Sequence, residues 1–133
     1  MTLDFYAVRS GDLLPEFRFT ITTDDVRAYL VATGEDSELW RGHVPPLALA
    51  SLSLASMTEL LPLPPHAYHT SQEADFIDLV PADTEVVGHA VIERRNERQG
   101  MIFTTLGFEL SVENAPVVRG RATVVVGPEA PSE

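Results

Sequence analysis

LALASLSLASMTELL, at residues 47–61, is the stretch that decides the fold of this chain. Most of its residues favour helix, and it is apolar on nearly all sides, with only scattered Ser, Thr and Glu side chains. A helix of this kind has no polar face to present to water, so it must be buried. Prolines at positions 45 and 46 precede it, and prolines at 62, 64 and 65 follow it. The sequence therefore predicts one buried central helix that is nearly inaccessible to solvent.

Strand-like segments flank this helix on both sides. Phe17 to Ile21 alternates apolar and polar residues, and a short helix is predicted from about Thr23 to Thr33, with Gly34 as its cap. Four longer strand-like segments follow the central helix, at about 67–78, 84–93, 100–111 and 117–126, with a charged turn at 94–99. The patterns predict an α+β domain in which a long antiparallel sheet of five or more strands wraps around the central helix.

Length and composition describe one ordinary globular domain. The 133 residues fall in the range of single domains, so we expect one domain over residues 1–133, with a core at about 17–126 and a flexible tail at 127–133. The amino-terminal residues lack the pattern of a secretory signal, which favours the cytoplasm.

Charge and the absence of cysteine exclude several function classes. Twenty acidic residues against nine basic ones give a net charge of −11, and this field repels phosphate backbones and anionic lipids. Nucleic acid and membranes are therefore not expected partners. Without cysteine there is no thiol nucleophile and no thiolate metal site, and the histidines lack the spacing of a metal site. We expect neither a metal nor a cofactor.

Several short motifs follow one another in an order found in a known family. They are the loop Gly34-Glu-Asp-Ser-Glu-Leu-Trp40, the segment Val44-Pro-Pro46, the segment His69-Thr-Ser-Gln-Glu73 and the turn Pro81-Ala-Asp-Thr84. In these motifs the chain resembles the hot-dog fold, and within it the MaoC-like acyl dehydratases and (R)-specific enoyl-CoA hydratases, over about residues 17–126. The resemblance implies an acyl-thioester substrate and a place in fatty acid or polyketide metabolism.

The resemblance also points to the catalytic loop. Relatives carry Gly-Asp-x-Asn-Pro-x-His, and alignment on Gly34 places Glu35 at the catalytic Asp and Trp40 at the catalytic His. Since an indole cannot titrate, the imidazole role passes to His43, with Asp36 able to orient it and Glu35 as the candidate base. An equally good interpretation is that these are solvated loop acids and a surface histidine.

Other residues are expected to bind the substrate. The backbone N–H groups of Leu47 and Ala48, after Pro46, lie at the positive end of the central helix and suit a thioester oxygen. Trp40 is expected to pack over the acyl tunnel or across a dimer seam. The remaining candidates are His69 and Gln72 at the pocket mouth, with a structural role favoured for His69, and Arg94 and Arg95, which could meet the phosphates of coenzyme A or simply form a solvated hairpin.

Three functions remain open at this stage. The first is an acyl-thioester hydratase or dehydratase, a hydro-lyase; the second is a catalytically silent acyl-binding subunit of a heteromeric dehydratase. The third, a hot-dog thioesterase, ranks last because the central helix carries an acid only at its far end, at Glu59. The expected partners are an acyl-CoA or acyl-carrier thioester and a second hot-dog subunit, in a homodimer or a heterodimer.

Overall fold

A computed structural model describes residues 2–35 and 40–127 of the chain. Its elements are β1 (Phe17–Thr20), α1 (Thr23–Thr33), β2 (His43–Val44), α2 (Pro46–Leu60), β3 (Ala67–Phe76), β4 (Val80–Pro81), β5 (Glu85–Arg98), β6 (Met101–Val112) and β7 (Ala115–Val126). Asp36 and the predicted tail beyond Gly127 lie outside the described residues.

The strands form one large antiparallel sheet and one small one. The large sheet has five strands in the order β1-β5-β6-β7-β3, and β2 pairs with β4 in a separate two-stranded sheet. Alternate residues of the large sheet join α2 in one buried cluster, including Ile92, Leu110 and Val118, each at 0% exposure. The predicted α+β architecture, a sheet around one central helix, is confirmed.

Two tight turns connect the three central strands. Gln99 and Gly100 join β5 to β6 with φ of 54° and 79°, and Glu113 and Asn114 join β6 to β7 with φ of 50° and 67°. Paired positive φ values match the right-handed twist of a two-residue hairpin. The predicted turn at 94–99 is therefore wrong, because a turn of only two residues lets β5 continue through Arg98.

Helix α1 is capped at its amino end by two carboxylates. Thr22 and Asp25 form a capping box, in which the Asp25 N–H donates to Thr22 Oγ1 and the Thr22 N–H donates to Asp25 Oδ2, both at 3.0 Å. Asp83, from the turn before β5, accepts from the Thr23 hydroxyl at 2.6 Å and from the Thr23 N–H at 2.9 Å. The hydrogen bonds from Thr23 lower the pKa of Asp83, and the hydroxyl has the larger effect. The hydrogen bonds with Thr22 lower the pKa of Asp25, and the Thr22 N–H has the larger effect.

Replacing Asp83 with Asn is expected to weaken the acid dependence of stability. A carboxyl whose pKa is lowered on folding adds stability above its unfolded pKa, about 3.9 for Asp, and loses it as the pH falls through the folded value. The destabilisation by Asp83→Asn should therefore be largest at neutral pH and shrink below about pH 4. Asn tolerates the positive φ of 65° at this position, so the backbone is kept. Urea unfolding across this pH range tests the prediction. Asp24→Asn, which removes a carboxylate from α1, is the matched charge control. An equal, pH-independent loss of stability in both variants would contradict the prediction.

Helix α2 is buried on one side only within a single chain. Leu49 and Met57 are 2% exposed, and Ser53, at 0%, donates its hydroxyl to Leu49 O at 2.7 Å. The opposite side, here called the open stripe, consists of Leu47, Ser51, Leu52, Ala55 and Glu59, all exposed. The prediction of a nearly inaccessible helix is thus wrong for the open stripe of the single chain, because the sheet covers α2 from one side.

Candidate active site

Three segments meet at the amino end of α2. The short β2–β4 pairing places His43 opposite Pro81 and Val44 opposite Val80. Gly42, with φ of 74°, accepts the Ala82 N–H at 2.9 Å, and the Asp83 N–H donates to Ile21 O at 2.8 Å. The loop before α2 is thereby tied to the turn before β5 and to the start of α1.

Glu35 and Trp40, at the two family catalytic positions, contact each other. The Trp40 Nε1–H donates to Glu35 Oε2 at 3.1 Å. Glu35 is exposed and follows the αL cap Gly34, whereas Trp40 is half-buried and packs against the core. The loop therefore brings together the two residues that the alignment singled out. In their contact, however, the carboxylate accepts from an indole N–H, and an indole cannot titrate.

His43 is oriented by the backbone of its own loop. Its N–H donates to Trp40 O at 2.8 Å, and its Nδ1 lies 3.0 Å from Arg41 O. A carbonyl oxygen can only accept, so Nδ1 carries the proton, and in the neutral ring Nε2 keeps its lone pair. The imidazole is half-buried, and Nε2 is able to take up a proton.

The start of α2 offers one free backbone donor. Pro46 has no N–H, and the Ala48 N–H donates to Pro45 O at 3.0 Å. The expectation that Ala48 is unpaired is wrong, because a tight first turn uses that donor. Within the described residues the Leu47 N–H has no partner, and it stands at the positive end of the helix.

An apolar cavity adjoins this end of α2. Its volume is about 240 Å³, and it is lined by Val44, Pro46, Leu49, Phe76, Ile77, Asp78, Leu79 and Val80. Sequence reasoning missed the segment 76–80, although its signal was present: a run of large apolar residues that breaks the alternation of a half-buried strand. Phe76, Ile77 and Leu79 are 41–51% exposed around the one carboxylate, Asp78.

Two predicted substrate-binding residues lie away from this end. His69 lines a crevice of about 20 Å³ beside the second half of α2, with Met57 and Leu61, and Gln72 lies opposite Ala122 in the middle of β3. A crevice of this size has room for about one water molecule. The structure therefore does not bring His69 or Gln72 together with Glu35 and His43.

Arg94 and Arg95 lie near the opposite end of β5. They pair with Thr105 and Thr104 of β6. Ten residues of strand separate Arg95 from Glu85, about 33 Å along an extended chain. Neither arginine adjoins the cavity at the start of α2 within one chain.

A hollow of about 650 Å³ lies on the outer face of the sheet. Two ion pairs line it, Arg119 Nε to Glu109 Oε2 at 2.9 Å and Arg121 Nε to Glu93 Oε2 at 2.6 Å. The sheet separates it from α2, so its size does not make it the active site. Across residues 2–35 and 40–127 no group of three or more possible metal ligands is found, and no helix there is long and apolar enough to span a membrane.

Comparison with known proteins finds solved structures that are similar to this chain. No protein-family model and no curated protein matches the sequence. The chain is similar to the (R)-hydratase from A. caviae involved in PHA biosynthesis, with a TM-score of 0.75, 20% identity, and coverage of 92% of this chain and 98% of that one. It is also similar to the MaoC-like dehydratase from Rhodospirillum rubrum, with a TM-score of 0.77, 14% identity, and coverage of 97% and 99%.

A third similar structure is the ChsH1–ChsH2 complex from Mycobacterium tuberculosis, with a TM-score of 0.69, 15% identity, and coverage of 89% of this chain and 98% of that one. At such identities the likeness concerns the fold. The order of the five strands, the single central helix and these near-complete superpositions agree. The chain has the hot-dog fold.

Proposed function

We propose that this chain is a subunit of a hydro-lyase that adds water to an enoyl thioester or removes it from a 3-hydroxyacyl thioester. The observation that carries the proposal is the arrangement at the start of α2. A carboxylate (Glu35), an imidazole (His43) and an N–H without a partner among the described residues (Leu47) lie in one loop and the helix end that it leads into, beside a cavity lined mainly by apolar side chains. Hydration requires these groups.

Each group has a role in the proposed hydration. The thioester oxygen accepts from the Leu47 N–H, whose position at the helix end favours the negative charge of the enolate. A base, His43 Nε2 or Glu35, takes a proton from water as the water oxygen bonds to the β carbon. The same proton or a second one then passes to the α carbon, and the thioester carbonyl is restored. Dehydration is the reverse sequence.

The apolar cavity is the proposed start of the acyl site. Val44 and Val80 are 1% exposed and form its floor, while Phe76, Ile77 and Leu79 leave their side chains partly in solvent. Apolar walls beside a few polar groups are typical of small-molecule sites. Trp40, packed on the core next to Glu35, is proposed to wall the site rather than to react.

The contact between Trp40 and Glu35 favours a second candidate function. The Trp40 Nε1–H donates to Glu35 Oε2, so an indole that cannot titrate contacts the carboxylate at the position where relatives carry His. A catalytically silent acyl-binding subunit beside an active one would show such a pair, and ChsH1–ChsH2 is a complex of two different subunits. A thioesterase finds less support, since α2 carries only Glu59, exposed in its last turn.

We also propose that the chain pairs with a second hot-dog subunit, another copy or a related chain. Strand β3 is an edge strand ten residues long, and its face toward α2 leaves His69, Gln72 and Phe76 exposed. Beside it runs the open stripe of α2, with Leu47 at 63% and Leu52 at 37% exposure. A long free edge next to exposed apolar side chains is a surface that proteins usually cover.

Assays of the purified chain decide between these functions. Incubated with enoyl-CoA thioesters of increasing chain length, and with the same acyl groups on a carrier protein, the chain is expected to consume the conjugated double bond without releasing free thiol. Activity that appears only with a partner carrying an intact Asp and His would instead support the silent subunit. Release of thiol would contradict the hydro-lyase and support a thioesterase.

A further inference from the structure

Unpaired arginines are concentrated at one end of the molecule. Of the nine arginines, four have no carboxylate partner within the described residues: Arg9, Arg94, Arg95 and Arg98. Three of them lie in the last five residues of β5, and the fourth lines a cavity shared with Arg95. In a chain with 20 acidic residues, arginines spread over the whole surface would be expected to lie beside carboxylates, as the paired ones do.

One of these arginines is held in a fixed position and is partly desolvated. The Arg95 Cζ lies 4.9 Å from the centroid of the Phe5 ring, and Phe5 is 2% exposed. In the part of the chain that the structure describes, Arg95 Nη1 is buried without a hydrogen-bond partner, and so is Oγ1 of Thr104, directly opposite on β6. A buried guanidinium donor without an acceptor is costly, so this guanidinium is short of an acceptor among the described residues.

The cavity beside Arg95 has the donors that an oxyanion needs. Its volume is about 320 Å³, and its lining comprises Val8, Arg9, Ser10, Arg95, Asn96, Glu97 and Ile102. Its lining residues carry two guanidinium groups, an amide and a hydroxyl, against the one carboxylate of Glu97. Two hydrogen bonds hold the wall that the amino-terminal segment forms: the Arg9 N–H donates to the side-chain Oδ2 of Asp12 at 2.8 Å, and the Gly11 N–H donates to Ile92 O at 2.7 Å.

We propose that this cavity, here called the Arg95 pocket, binds a phosphoryl oxyanion. Guanidinium forks match phosphate oxygens, and the fixed Arg95 supplies a donor that loses little conformational freedom on binding. The pocket lies near the opposite end of β5 from the turn that meets α2, so it is separate from the proposed thioester site of the same chain. Its existence does not depend on the proposed hydro-lyase activity.

Calorimetric titration of the full chain with inorganic pyrophosphate in low-salt buffer tests the pocket. We expect saturable binding and a thermal midpoint that rises with ligand concentration, because the ligand binds only the folded state. Arg95→Met and Arg9→Gln should each raise the dissociation constant by about tenfold or more, the worth of a charge-assisted hydrogen bond. Arg27→Gln, an equal charge change on α1, is the control and should leave binding unchanged.

The outcomes separate the pocket from general charge effects and identify the source of the phosphate. Absence of saturable binding by the unaltered chain, or equal losses in all three variants, would overturn the proposal. Should Arg95→Met fail to fold, Arg9→Gln on the exposed side of the pocket still carries the test. Displacement of pyrophosphate by coenzyme A would identify the thioester carrier as the source, whereas pyrophosphate binding that coenzyme A does not displace would assign the pocket to a separate phosphorylated ligand.

Discussion

Replacing Glu35 with Gln is expected to lower the turnover of enoyl-thioester hydration by about a hundredfold or more, the usual worth of positioned acid–base catalysis. Gln keeps the length of the side chain and an oxygen that can accept from Trp40 Nε1, so the contact at 3.1 Å survives while the base is lost. The loss should therefore appear in kcat, with thermal stability unchanged. Stopped assays of hydration for the variant and the unaltered chain measure it.

His43→Gln, made in parallel, tests whether the imidazole carries the second proton. A comparable loss assigns that role to Nε2 of His43, because Nδ1 already donates to Arg41 O. Asp24→Asn, an exposed carboxyl on α1, serves as the control and should retain full turnover. Turnover by the isolated chain that survives both Glu35→Gln and His43→Gln would refute the assignment of the site while leaving the fold untouched.

Replacing Leu52 with Glu is expected to convert the assembled protein into monomers. Leu52 lies in the middle of the open stripe, and a pairing across this surface would place two added carboxylates in a desolvated seam. Like charges brought together in an interface cost several kcal/mol, so association should weaken by about a hundredfold or more. Sedimentation at micromolar concentration should show a dimer for the unaltered chain and a monomer for the variant.

Leu13→Glu supplies the matched control for this experiment. Leu13 is 74% exposed, but it lies on the amino-terminal segment beside Val91 and lines the hollow on the outer face of the sheet, not the open stripe of α2. The same charge placed there should leave the dimer intact. A clean monomer of the unaltered chain that still bound an acyl-CoA would refute the proposed pairing.

The fold could be predicted because its signals are local and repeated. The apolar stretch at 47–61 predicted a helix packed into the core, and the structure places α2 at Pro46–Leu60, with one side buried and the open stripe exposed in the single chain. Thr22 and Gly34 marked the ends of α1, and both act as caps. The β5–β6 turn was predicted too long because charge was taken as a turn signal, whereas the two-residue hairpin depends on the backbone conformation of Gln99 and Gly100.

The site was harder to predict because it depends on distant contacts. Glu35, Trp40 and His43 are close in sequence, and their placement in one loop follows from that. The cavity beside them is formed by Phe76, Ile77 and Leu79, which only the pairing of β2 with β4 brings to the start of α2. The hydrogen bond that occupies Ala48 and the position of Arg95 behind Phe5 likewise follow from packing.

The two tight turns between β5, β6 and β7 have a consequence for how the chain folds. These strands are consecutive in sequence, so residues 85–126 can form a three-stranded meander with only two short loops to close. Both edge strands, β1 and β3, come from earlier in the chain and must close much longer loops before they pair. Assembly is therefore expected to begin in the carboxyl-terminal third of the chain, and β1 and β3 to join afterwards. During synthesis on the ribosome, the central helix would therefore stay uncovered until the last strands had been made.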